Sequence, residues 1–190
     1  MKRILFLLFT VFFAFNVFAQ DHLTFKGIPI DGTRIQFVSK LKAKGFKEIS
    51  NPYLDSHLSL LEGEFIGRNS KVYVVTKSNL VGKVHCEFEF GKDWDNIVNF
   101  YTYCKSLYSK KYGEPCVNSE KMPENYQHSG LVFWGIKNGE VEYTSMFKTD
   151  LGYIVLKIDS SDGVSGTLFI AYEDKKNFYV ESEKSDLDDI

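Results

Sequence analysis

The chain is predicted to be an α+β protein made of two halves, each a helix followed by an antiparallel meander, with both helices on one face of the sheet. Two segments, residues 33–44 and 93–112, carry helical periodicity and stop at Gly45 and Gly113. Short runs that alternate apolar and polar residues follow each, as in VHCEFEF from Val84. The halves also echo one another. Phe65-Ile66-Gly67 and Phe133-Trp134-Gly135 stand 68 residues apart, as do Gly45 and Gly113, and LVGKVHCEFE from Leu80 matches DLGYIVLKID from Asp150 at an offset of 70. We read this as an internal duplication, half 1 covering residues 25–91 and half 2 residues 92–175.

Residues 1–19 place Lys2 and Arg3 ahead of an apolar run that ends on Val17 and Ala19, the small-residue spacing of a signal-peptide cut before Gln20. The expected product is a single α+β domain over residues 20–180 with an acidic flexible tail, ESEKSDLDDI, over 181–190. Its expected location is exported, in the periplasm or at the cell surface, touching membrane only while the leader is uncut. In FKGIPIDGT, Phe25, Ile28 and Ile30 suit an edge strand that tolerates Pro29, and Asp31-Gly32 turns the chain so that Thr33 caps the first helix. Thr33 and Gln36 form a capping-box pattern, with Phe37, Val38 and Leu41 as the apolar stripe. In the second helix Ile97, Phe100, Tyr101, Cys104, Leu107 and Tyr108 share one face before Gly113 and Pro115 end it. Asn138-Gly139, between LVFWGIK and EVEYTSMF, predicts a two-residue hairpin pairing Lys137 with Glu140 and Trp134 with Tyr143. DSSDG from Asp159 separates the last two strands.

Removing Lys2 and Arg3 with the leader takes the formal charge from −2 to −4, and no basic stripe is visible, so nucleic acid is not an expected partner. Three cysteines cannot all pair. Cys86 falls on the apolar side of its strand and Cys104 on the apolar side of its helix, so both are expected to be buried free thiols. Cys116, in GEPCVNS, is the one expected to be accessible.

No HExxH, CxxC, GxSxG, EF-hand or Walker loop is present, so no catalytic residue, metal site or cofactor is expected. His85, Glu87 and Glu89 are the best titratable set. Strand neighbours two apart are separated by about 6.6 Å, so two of the three could clamp an ion but all three could not. If the helices cover Ile66, Val72, Val74, Val84, Trp134, Val141 and Ile154, the other face carries Phe65, Tyr73, Val75, Phe133, Tyr153 and Val155 beside His85 and Glu87. Aromatic residues on a nominally wet face suggest a contact surface.

The AQ-type leader end, the GIPIDGT opening and the DWDNIVNFYTYCKSLYSKKYGEP helix together resemble the small exported proteins of Bacteroides-like bacteria, a likeness that implies no activity. A duplicated helix-plus-meander is also similar to tandem beta-lactamase-inhibitor-protein-like domains, whose paired sheet binds a protein. That fold uses two helices per repeat where one per half is visible here, and it carries no residue across. The expected function is therefore a non-catalytic binding module that uses Phe65, Tyr73, Phe133, Tyr153, His85 and Glu87 to hold an envelope protein, peptide or glycan. The alternatives are an envelope hydrolase with an unfamiliar site around His85 and Glu87, and a structural subunit joined edge to edge through its strands.

Overall fold

In the computed structural model, which describes residues 21–127 and 130–179, the opening segment folds back on itself before any helix begins. Strands β1 (Thr24–Phe25) and β2 (Ile28–Pro29) pair only with each other, across Lys26 (φ 50°) and Gly27 (φ 75°). Two successive left-handed residues are the signature of a tight hairpin turn, so the expected edge strand is instead a miniature hairpin. It plugs Phe25, Ile28 and Ile30 into the core. Gly32 (φ 77°) then delivers Thr33 as the cap of helix α1 (Arg34–Ala43), and the capping box forms as expected. The leader, its cut and the tail over 181–190 lie outside the described residues.

The fold is α+β with one large antiparallel sheet. Strands β3 (Lys47–Ile49), β4 (Leu58–Phe65), β5 (Arg68–Lys77) and β6 (Leu80–Gly91) follow α1. Helix α2 (Trp94–Tyr112) leads to β7 (Val117–Lys121), two short helices α3 (Glu124–Gln127) and α4 (Val132–Lys137), then β8 (Glu142–Thr149), β9 (Gly152–Asp159) and β10 (Gly166–Asp174). The strand order is β3-β4-β5-β6-β10-β9-β8-β7, antiparallel at every step, so β6 and β10 meet at the centre. A single π-helical turn, Lys175–Tyr179, closes the described chain.

Asp93 caps α2 by accepting from Asn96 N at 3.0 Å, and Gly113 (φ 85°) ends it. Of the stripe read from sequence, Ile97, Phe100, Tyr101, Cys104 and Tyr108 are buried and Leu107 is half-buried. Phe100 meets Phe88 of β6 edge-on at 5.1 Å, and the Tyr101 hydroxyl is 2.6 Å from Ser145 Oγ of β8, so α2 straddles both halves of the sheet. Cys86 and Cys104 are buried and unbonded, and Cys116 is exposed. Burial pushes the Cys104 thiol up to about 12 and Cys86 well above its ordinary value, which keeps both inert.

Two further sequence expectations fail for identifiable reasons. The run LVFWGIK is helix, not strand: Val132, Phe133 and Ile136 form a helical stripe that a continuous apolar run hides. Gly135 permits close packing there, since a Cβ would meet Tyr126 Cε1 and Val141 Cγ2, each at 2.8 Å. Asn138-Gly139 therefore terminates a helix, with Gly139 N donating to Ile136 O at 3.0 Å, and the predicted Lys137–Glu140 and Trp134–Tyr143 pairs do not form. Phe133 is buried and Trp134 is 47% exposed, the reverse of the expectation. The second failure is Phe65. Leu61, Gly63 and Phe65 share one phase of β4, and Ile66 (φ 50°) with Gly67 (φ 70°) makes the turn to β5. Phe65 thus faces the core, its ring 4.9 Å from Phe25 and 6.2 Å from Phe88. Phe65-Ile66-Gly67 is a hairpin turn and Phe133-Trp134-Gly135 a helix, so that sequence echo has no structural counterpart.

Candidate functional site on the open face of the sheet

The residues opposite in phase to the buried Val72, Val84, Cys86, Leu156 and Ile170 define the second face. Cross-strand pairing puts Tyr73 of β5 opposite His85 of β6, His85 opposite Ala171 of β10, and Ala171 opposite Val155 of β9. Along the next row Glu87 lies opposite Phe169, and Phe169 opposite Lys157. The His85 ring is held between Tyr73, at 5.5 Å, and Phe169, which it meets edge-on at 4.9 Å. Tyr153 shares this face, opposite Glu173 on one side and Lys148 on the other. Of the six residues named from sequence, Tyr73, His85, Glu87 and Tyr153 lie here; Phe65 and Phe133 do not. Phe169 was missed, although TLFIAYE alternates plainly; its face depends on the β6–β10 pairing, which sequence does not reveal.

Ion pairs rim the aromatic cluster. Lys71 binds Glu89, Lys83 meets Glu173 at 2.8 Å, and Lys157 meets Asp159 at 3.2 Å. Tyr73 donates its hydroxyl proton to Glu87. Burial raises the Glu87 carboxyl above its ordinary range; that hydrogen bond and Lys71 offset the rise only in part. Burial, assisted by the positive charge of Lys83, lowers His85 to about 4, so its imidazole is neutral at physiological pH. Its Nε2 is 3.5 Å from Glu87 Oε1 yet makes no hydrogen bond, a buried polar atom without a partner. Such an atom costs about 1–3 kcal/mol, and a bound group that satisfied it would recover that energy.

This predicts a measurable acid response. The folded pKa of His85 lies below its unfolded value, so the unfolded state binds the extra proton first as pH falls. Stability should be full above about pH 6.5 and decline toward pH 4, by on the order of 3 kcal/mol from the shift to about 4. His85→Leu should flatten that slope and at pH 7 be neutral or stabilising, because it removes the unpartnered nitrogen. Urea unfolding of both proteins at pH 7, 5.5 and 4 checks it; an unchanged slope in the variant would assign the acid response to other groups.

Among the described residues no cluster of three or more His, Cys, Asp or Glu side chains could hold a metal ion, and no helix is long and apolar enough to cross a membrane. The site offers a neutral imidazole, a half-buried carboxyl and aromatic edges, which suit hydrogen bonding and ring contact. Comparison with protein-family models, with curated proteins and with solved structures finds no match, so the functional reading rests on this geometry alone.

Proposed function

We propose that this is an exported, non-catalytic binding module that holds an envelope protein, peptide or glycan on the open face of its sheet. The observation that carries the reading is the Tyr73–His85–Phe169 cluster, a row of half-buried rings around a buried nitrogen that lacks a hydrogen-bond partner. Such a cluster is poised for a partner that brings both apolar surface and one polar group. A general base works best with a pKa near the operating pH, and an imidazole at about 4 is far from it, which favours recognition over hydrolysis around His85 and Glu87.

In this reading the chain is a duplicated unit with both helices on the far face. The strand order supports it: β3–β6 are mirrored by β7–β10, each set following a helix, while α3 and α4 interrupt the second set between β7 and β8 and the echo at offset 70 lays β6 on β9 and not on its mirror partner β10. The two halves then supply one continuous platform, similar in plan to the paired sheet of tandem inhibitor-like domains. The fold-level likeness adds no partner identity.

Affinity capture from an envelope extract with the chain from Gln20, beside a Tyr73→Ala/Tyr153→Ala variant shown to fold, tests this. The expected result is one partner held by the first and reduced at least about tenfold by the second, the loss of roughly 1.4 kcal/mol. Equal capture by both would show that these rings do not hold the partner.

A further inference from the structure

A second candidate site lies elsewhere, between α2 and the β4–β5 turn. A cavity of about 170 Å³ opens there, walled by Phe65, Ile66, Leu107 and Tyr112. Cavities of about 150 Å³ lined by apolar side chains accept benzene, so the space matches one six-membered ring. Tyr108 and Tyr172 also line it; they are 6% and 5% exposed, and their hydroxyls are hydrogen-bonded to each other. Burial raises both phenols well above their ordinary value, so both stay protonated. Two phenols bring two donor protons and their mutual bond consumes one. No acceptor among the described residues takes the other.

The only charged group in the lining is Lys111, from the last turn of α2. It is exposed, its ammonium lies 4.9 Å from the centre of the Tyr112 ring, and no carboxylate pairs with it among the described residues. A ring-sized apolar space with a cation without an anion at its rim defines an occupant. We propose that this cavity binds a small aromatic carboxylate, its ring between Phe65, Leu107 and Tyr112, its anion met by Lys111. This proposal is independent of the open-face reading, since the lining shares no residue with that cluster.

The test is titration of the 15N-labelled protein with benzoate, 4-hydroxybenzoate and uncharged benzamide. The expected result is saturable shifts at Ile66, Leu107 and Lys111 with a benzoate dissociation constant below about 1 mM, and at least about tenfold weaker binding of benzamide. Lys111→Gln, an exposed change that should leave the melting temperature in place, should weaken benzoate about tenfold. Leu107→Trp, which fills the space, should abolish it. No saturation by about 10 mM benzoate, equal binding of benzamide, or undiminished binding by Lys111→Gln would each overturn the proposal.

Discussion

Gly152→Ala is expected to lower stability by about 4 kcal/mol, and the melting temperature by about 8–16 °C for a domain of this size. Gly152 opens β9 at φ 145°, a backbone conformation that side chains disfavour. An added Cβ would stand 2.0 Å from Glu173 O and 3.0 Å from Lys175 N. Both are backbone atoms, one in β10 and one at the start of the closing turn, and Gly152 itself pairs with Asp174, so relief requires β9 to part from both. Leu23 Cδ1, at 2.9 Å, closes the remaining side. Gly67→Ala is the control: its φ is +70° but a Cβ there meets nothing within 4 Å, so only the conformational strain, about 1 kcal/mol, is expected. Chemical denaturation of the two variants separates strain from collision. A Gly152→Ala cost within about 1 kcal/mol of the Gly67→Ala cost would mean that the close approach relaxes freely.

Legibility from sequence followed the range of the interactions involved. Local chemistry was readable: the Thr33–Gln36 box, the α2 stripe with its Gly113 stop, and the inward phase of Cys86 all depend on residues within one turn or one strand. Tyr73, His85 and Glu87 were readable from the alternation within each strand, but their pairing was not: a one-residue register shift between Val75 and Thr76 separates the turn from the site and brings Tyr73 opposite His85. Phe65 failed because its phase had to be carried through Ile66-Gly67; once the turn takes both residues, Phe65 pairs with Arg68 and falls on the core side. Phe133 failed because a short, wholly apolar run has no period to distinguish helix from strand. Phe169 and the spare phenol proton of the Tyr108–Tyr172 pair depend on contacts 64 or more residues apart in the chain, and no local pattern encodes them.

The same long-range logic makes Asp174→Ala the second large loss, expected at about 3–5 kcal/mol. Asp174 is fully buried at the end of β10 and accepts four hydrogen bonds: from Leu23 N at 2.8 Å and from His22 Nδ1, Lys176 N and Asn177 N at 3.1 Å each. One carboxylate therefore anchors the entry of the chain and shapes the closing π-helical turn. That turn aims the Asn177 amide at Ile30 O, Asp31 Oδ1 and Val81 O, fastening the N-terminal hairpin from its other end. Burial works to raise the Asp31 carboxyl, but the bonds from Asn177 and the Gly32 backbone, with His22 nearby, bring it below the ordinary carboxylate range. Its share of stability is thus present above about pH 4 and lost as acid titrates the folded group. Deleting the Asp174 side chain strands three backbone N–H groups and loosens Phe25, whose ring packs 5.5 Å from Tyr172 and 6.2 Å from Phe46. Because Phe25 joins the hairpin to the main core, the loss should be global. Asp174→Asn keeps one acceptor oxygen and should cost about half as much, while His22→Ala, which spares the three backbone bonds, should cost about 1 kcal/mol. The check is urea denaturation of the three variants with amide exchange read at Leu23 and Asn177. Faster exchange at those two amides with unchanged global stability would show that the hairpin and turn open as a separate unit, against the coupling argued here.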